Sequence, residues 1–194
     1  MSSHQGRPDF KSPPGGCDAH FHVFGPAGRY PYEQSDLRYA PPVAPVEDFL
    51  ALSKKLGLER FVFVQPSAYG RDNRCMLDAM REVGTQKCRG IVDIDENAPD
   101  AELERLHQAG GRGARINVPP VKPYEAGFAD VAPMARALIE AAPERVIWGS
   151  DYPHLSFADK VGSVELWNLL GKWAPDEATR RKILVDNPQR LFKF

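Results

Sequence analysis

Short apolar runs alternate along the chain with stretches in which apolar residues return every three or four positions, the pattern of strands alternating with amphipathic helices. The first run, residues 17–25, reads Cys-Asp-Ala-His-Phe-His-Val-Phe-Gly and follows a glycine-rich turn. It predicts a strand. A loop with five prolines then extends to residue 45 and holds Tyr30, Tyr32 and Tyr39, the length and composition of a binding loop or of a surface excursion packed down by its tyrosines. Val46, Phe49, Leu50, Ser53 and Leu56 share one helical face over residues 45–56, and Gly57 stops that helix. Phe61-Val62-Phe63-Val64 is apolar on both faces, as a covered parallel strand is, and runs into the polar loop Gln65-Pro66-Ser67-Ala68-Tyr69-Gly70. Asp72 and Asn73 are caps for a helix carrying Met76, Leu77, Met80 and Val83. Residues 88–94 predict a third strand, 100–109 a helix stopped by Gly110 and Gly111, and 113–117 a short fourth strand.

This alternation predicts a parallel α/β sheet with helical crossovers. After Asn117 the rhythm breaks, because Val118-Pro119-Pro120-Val121-Lys122-Pro123 suits neither a regular helix nor a central strand. Regularity resumes with Asp130 as a cap, a helix holding Val131, Met134, Leu138 and Ile139, and a fifth strand over residues 145–149. Helices over 163–173 and 176–185 follow, the second ended by Asn187-Pro188. Residues 1–16, rich in Ser, Pro and Gly, are expected to form a flexible arm, and 17–194 a single domain.

With 194 residues and 42% hydrophobic content, the chain is long enough for one sizeable core. Its net charge of −1 offers no general attraction for nucleic acid or an anionic membrane, which leaves small molecules as the expected partners. Cys17, Cys75 and Cys88 are odd in number and widely spaced, so neither a disulfide framework nor a structural zinc site is expected. No stretch approaches the roughly 18 apolar residues of a membrane span, and the first residues carry charges and prolines where a signal peptide needs an apolar centre. A cytoplasmic protein is expected.

The candidate chemistry starts at His20 and His22. Residues two apart on a strand share a face, so both imidazoles point one way and Phe21 and Val23 the other. Such a pair is either a reactive arrangement or a satisfied structural one. Its echo is Val146-Ile147-Trp148-Gly149-Ser150-Asp151-Tyr152-Pro153-His154, an apolar run that delivers a carboxylate at its end. Arg115, at the end of the fourth strand, presents a planar guanidinium suited to a carboxylate, or makes an ordinary surface ion pair.

Four stretches in order carry a resemblance: Cys-Asp-Ala-His-Phe-His-Val-Phe-Gly, Phe-Val-Phe-Val-Gln-Pro-Ser-Ala-Tyr-Gly-Arg-Asp-Asn, Trp-Gly-Ser-Asp-Tyr-Pro-His and Asn-Pro-Gln-Arg-Leu-Phe. The chain resembles the amidohydrolase superfamily, and within it the branch containing 2-pyrone-4,6-dicarboxylate lactonase. That resemblance implies a (β/α)8 barrel with its site at the C-terminal strand ends. Eight units need about 250 residues, and about five parallel strands with flanking helices are legible, so an incomplete TIM-barrel-like fold is expected, shortened near residues 117–124. The family's fifth- and sixth-strand histidines have no counterpart, since only His4, His107 and His154 remain.

The resemblance implies a hydrolase of an anionic lactone, with Asp151 as the base that activates water and His20 and His22 as polarising groups. Asp151 can also be a helix cap or loop carboxylate. Arg115 would take a substrate carboxylate, and Ser67, Tyr69 and Asn73 would add neutral donors, unless the last three only structure their loop. No cofactor is expected in this branch. The alternative is one divalent ion such as zinc on His20, His22 and Asp151, as in metal-dependent hydrolases and decarboxylases of the superfamily. A third reading is a shortened barrel with little activity, whose open sheet edges a homo-oligomer would cover.

Overall fold

The structure is a computed structural model that describes residues 6–33, 41–115, 128–155 and 160–194. Four strands, β1 (Cys17–Phe21), β2 (Arg60–Val64), β3 (Cys88–Val92) and β4 (Gly111–Ala114), lie parallel in the order β1-β2-β3-β4. Parallel neighbours need a crossover to return the chain to the same end of the sheet. Here α1 (Val46–Leu56), α2 (Arg74–Val83) and α3 (Asp100–Gln108) supply it. Helix α1 stops at Gly57, whose φ of 80° suits a residue without Cβ and lets its N–H bond to the Ser53 carbonyl. The helix buries Val46, Phe49, Leu52, Ser53 and Leu56, so Leu52 takes the inward position expected of the half-buried Leu50. Phe49 stacks on Phe21 at 3.5 Å between ring centroids, and Phe63 lies 4.4 Å from Phe21, which locks α1 onto β1 and β2. Each such ring contributes on the order of 2–3 kcal/mol by leaving water.

The fifth predicted strand is not a regular one. Pro143–Arg145 form a 3-10 turn, and the residues after it run extended beside β1 on the edge away from β2. The Ala19 N–H donates to the Trp148 carbonyl (2.9 Å), Asp151 N–H to the His20 carbonyl (2.8 Å) and His22 N–H to the Tyr152 carbonyl (2.8 Å). These bonds do not make a continuous ladder, and on its other edge β1 carries a register shift against β2 between Asp18 and Phe21. At such a bulge some N–H groups lose their ladder partners. Asp18 Oδ1 collects two of them, accepting from His20 N–H (3.1 Å) and Ser150 N–H (3.0 Å). Four consecutive strand-helix units and a segment seated where a closing strand would lie make an incomplete (β/α)8 TIM-barrel-like fold.

Helix α4 (Phe128–Ala141) begins before Asp130, the residue expected to cap it. It packs against the turn at Pro143–Arg145 and against α5 (Ser163–Trp173). Ile139 joins the core, but Met134 and Leu138, expected on the buried face, are 57% and 55% exposed, because the main described contacts of α4 run to these two elements. Asn187-Pro188 does not end the last helix. α6 (Glu177–Arg181) passes through a π-helical stretch (Lys182–Asp186) into α7 (Asn187–Phe192). A proline ring clashes with the carbonyl four residues back, and the widened turn accommodates it: the Asn187 N–H reaches five residues back to the Lys182 carbonyl.

The N-terminal stretch, expected to be loose, is fastened from residue 7 onward, where the Arg7 carbonyl accepts from Asn168 Nδ2 (3.2 Å). Phe10 stacks on Trp167 at 4.6 Å, the Trp167 indole N–H donates to the Phe10 carbonyl (2.9 Å), and Ser12 N–H donates to the Leu56 carbonyl (2.9 Å). A buried indole N–H needs an acceptor, and this segment provides it. The Pro-rich run 118–123, where the shortening was expected, and Tyr39 lie outside the described residues. Cys17, Cys75 and Cys88 are buried free thiols. No described helix is long and apolar enough to cross a membrane.

Candidate active site

His20 and His22 leave the end of β1 toward the same side, as the strand period requires, and the 148–151 segment brings Asp151 to meet them. His20 Nε2 and His22 Nε2 are 3.3 Å apart, and each lies 3.4 Å from Asp151 Oδ1. Two local features allow this approach. Gly149 passes so close to β1 that a Cβ there would sit 2.5 Å from His20 Cβ. Asp151 itself adopts φ 54°, a left-handed conformation that aspartate tolerates better than most residues and that turns its carboxylate back on the pair.

The His22 ring is buried, and its Nδ1 lies 2.8 Å from the Val64 carbonyl oxygen. A carbonyl only accepts, so Nδ1 carries the proton and donates, and in the neutral ring Nε2 presents a lone pair to His20 and Asp151. Lone pairs and a carboxylate gathered at 3.3–3.4 Å repel unless a proton or a cation lies among them. Partial desolvation beside the two rings would push the Asp151 carboxyl up, but protonated His20 and His22, donating to it and carrying positive charge, outweigh that and hold it well below the usual carboxylate range. Its side chain is 70% exposed, so water reaches the ionised oxygen.

The other predicted site residues divide into two groups. Ser67 and Arg115 line a cleft of about 780 Å³ at the C-terminal ends of β2, β3 and β4. Arg115 Nη1 donates to the Gln65 carbonyl (2.9 Å), next along the chain from the Val64 carbonyl that holds His22. The end of β2 therefore anchors the imidazole pair through one carbonyl and the arginine through the next. Tyr69 and Asn73 turn inward instead. The Tyr69 hydroxyl accepts from Gly25 N–H (3.1 Å) deep in the core, where burial pushes its pKa well up. Asn73 clamps the chain after β3, donating to the Asp93 carbonyl (2.8 Å) and accepting from Asp93 N–H (3.0 Å).

Sequence reasoning missed three supports of this site. Asp18 holds the backbone on both sides of the His-Asp cluster; it is fully buried, and desolvation raises its carboxyl to about 6 against the hydrogen bonds that lower it. Asn187 Nδ2 donates to the Pro143 (2.8 Å) and Val146 (2.7 Å) carbonyls and fixes the start of the segment that ends in Asp151. His154 is buried with its Nε2 2.7 Å from Ser163 Oγ, pinning the far side of the turn to α5, and burial lowers its pKa. The first and third lie in the stretches Cys-Asp-Ala-His-Phe-His-Val-Phe-Gly and Trp-Gly-Ser-Asp-Tyr-Pro-His, also singled out by resemblance, but their partners depend on contacts no local pattern reveals. The second lies likewise in Asn-Pro-Gln-Arg-Leu-Phe.

A family pattern described as amidohydrolase matches residues 17–124 and 119–194. The chain belongs to the amidohydrolase family. Two family relatives are lactone hydrolases by name. It is 32% identical to the 4-sulfomuconolactone hydrolase of Rhizobium radiobacter over 278 aligned positions, covering 94% of this chain and 91% of the relative. It is 26% identical to the 2-pyrone-4,6-dicarboxylate hydrolase of Comamonas testosteroni over 284 positions, covering 96% and 92%. Both alignments are longer than the 194-residue chain and so leave residues of the relatives unmatched. A crystal structure of an apo protein from Agrobacterium tumefaciens superposes with a TM-score of 0.80 at 24% identity, covering 96% of this chain and 98% of the other, which shows the shared amidohydrolase fold.

The donor set also fits the divalent ion that many amidohydrolases hold. At metal–donor bonds of about 2.0–2.1 Å, tetrahedral coordination needs donor–donor edges of about 3.3–3.4 Å. The three edges of the His20, His22 and Asp151 triangle are 3.3, 3.4 and 3.4 Å, and a carbonyl behind Nδ1 is the usual support of a ligating imidazole.

Proposed function

We propose that the chain is a hydrolase that opens an anionic cyclic lactone, with Asp151 as the base that activates water. The supporting observation is the convergence of Oδ1 of the exposed Asp151 on both imidazole Nε2 atoms at 3.4 Å, at the strand ends of a chain whose relatives include proteins named as lactone hydrolases. Water bonds to the lactone carbonyl carbon as its proton passes to Asp151. A proton held between His20 and His22 meets the charge that develops on the carbonyl oxygen. The ring C–O bond then breaks, and the departing oxygen takes the proton from Asp151. Arg115 and Ser67, in the cleft at the C-terminal ends of β2, β3 and β4, hold the substrate's anionic group. Tyr69 and Asn73 act through the loop that carries Ser67.

The spacing of the three donors favours a second reading in which His20, His22 and Asp151 hold a divalent ion such as zinc. When bound, such an ion makes a water at the site more acidic. In either case the Val64 carbonyl orients His22 and the His20 carbonyl orients Asp151.

The test is hydrolysis of 2-pyrone-4,6-dicarboxylate by chelator-treated protein, followed by ultraviolet loss of the pyrone, with Asp151→Asn alongside. Loss of a base is expected to slow turnover roughly 10²–10⁴-fold. Full rate in Asp151→Asn would remove the assignment. No turnover in a folded sample, with or without zinc, would point to the inactive shortened barrel, and subunit number is measured on the same sample.

A further inference from the structure

We propose that Arg71 determines specificity for doubly charged lactones: its guanidinium takes the second anionic group of a substrate whose first is held by Arg115. The inference rests on the lactone-hydrolase reading and names the substrate class within it.

Arg71 lines the same cleft as Ser67 and Arg115, and among the described residues Arg71 and Arg115 are the two cationic side chains of that cleft. Its root is fixed at both ends. The Arg71 N–H donates to Glu33 Oε2 (2.8 Å) and its carbonyl accepts from Asn73 Nδ2 (3.0 Å). The side chain is free to move from that root: it is 59% exposed and engages Asp95, itself 40% exposed. Ion pairs this exposed contribute little, so exchanging Asp95 for a substrate anion costs little. Asp95 stays where it is, because its Oδ1 accepts from Asn97 N–H (2.8 Å).

The charge of the cleft makes this second cation necessary. Glu33, Asp93, Asp95 and Glu96 line it together with the two arginines, so an incoming anion meets more negative than positive charge. A substrate with one anionic group needs only Arg115. One with two needs a guanidinium against each, since a bare second anion would face the carboxylates. A 2-pyrone-4,6-dicarboxylate carries two carboxylates, and a sulfomuconolactone a sulfonate beside its carboxylate. Asp95 then sets the threshold, because it competes with the second anion for Arg71.

The test uses calorimetric binding of two non-hydrolysable probes to the full chain: benzene-1,3-dicarboxylate, which has the carboxylate spacing of the pyrone, and benzoate. Arg71→Gln is expected to weaken the dicarboxylate roughly tenfold, the scale of one charge-assisted hydrogen bond, and to change benzoate by less than about twofold. Asp95→Asn keeps the acceptor for Asn97 and is expected to tighten the dicarboxylate about threefold in the wild-type background but not with Arg71→Gln. Equal weakening of both probes by Arg71→Gln, or none, would overturn the proposal, as would failure of the folded protein to bind the dicarboxylate. Arg71-dependent dicarboxylate binding without turnover of any lactone would uphold this assignment while removing the hydrolase reading.

Discussion

Replacing Asn187 by alanine tests how the late segment is held in place. The residue is 4% exposed, and its amide donates to the Pro143 carbonyl at 2.8 Å and the Val146 carbonyl at 2.7 Å. Asn187→Ala removes both donors and leaves two partly buried carbonyls unpaired. An orphaned buried acceptor costs about 1–3 kcal/mol, and partial access to water puts each near the lower end, so the expected loss is about 2–4 kcal/mol. For a chain of 194 residues that lowers the melting temperature by roughly 4–16 °C. Asn187→Asp is the sharper control, since an isosteric carboxylate turns an acceptor toward two acceptors. It should cost more at pH 8 than at pH 5, because the folded state favours its protonated form. The assay is urea unfolding, with turnover measured well below the transition. Because Asp151 hangs from this segment, kcat should fall more than KM changes. A loss under about 0.5 kcal/mol, or unchanged turnover despite the expected destabilisation, would refute the link from Asn187 to Asp151.

Three other outcomes are expected. Burial raises the Asp18 carboxyl from 3.8 to about 6, so between those values the folded chain keeps a proton that the unfolded chain has lost, and stability falls as pH rises through that window. Asp18→Asn keeps the Oδ1 acceptor and loses this dependence; in chelator-treated protein its stability relative to wild type should improve by about 2 kcal/mol between pH 4 and pH 7, and a constant difference would contradict the shift. Arg115→Lys loses the planar fork and should raise KM for a dicarboxylate lactone more than for a neutral one; equal effects would separate Arg115 from the substrate. If the ion-free reading holds, exhaustive chelation leaves turnover intact, whereas recovery only on adding zinc, with one equivalent bound and lost in His22→Asn, would establish the metal reading.

Much of the fold was legible because it rests on local period. Phe61-Val62-Phe63-Val64 is apolar on both faces since β2 is covered on both, and residues 163–173 form a helix with the predicted bounds. The fifth strand failed for a reason outside its own residues: Ser150 N–H is drawn to the Asp18 carboxylate, 132 positions away in the chain. Asn187-Pro188 looked like a stop because proline removes an N–H, but burial of Ile183, Leu184 and Val185 keeps the helix running through a widened turn. Tyr69 and Asn73 share their loop with Ser67, yet a loop sequence does not say which of its polar groups the protein itself uses.

By itself the sequence determined the alternation of strand and helix, the shared direction of His20 and His22, and the placement of Asp151 at the end of an apolar run. Each follows from side chains repeating at the strand or helix period and from which of them leave water. Only the tertiary structure decided that Asp151 Oδ1 stands 3.4 Å from both imidazoles, that Gly149 makes room for it, and that Asp18 and Asn187 hold the backbone there. Periodicity reports which face is buried, whereas the partner of a buried polar group is chosen by whatever the folded chain brings within hydrogen-bonding reach.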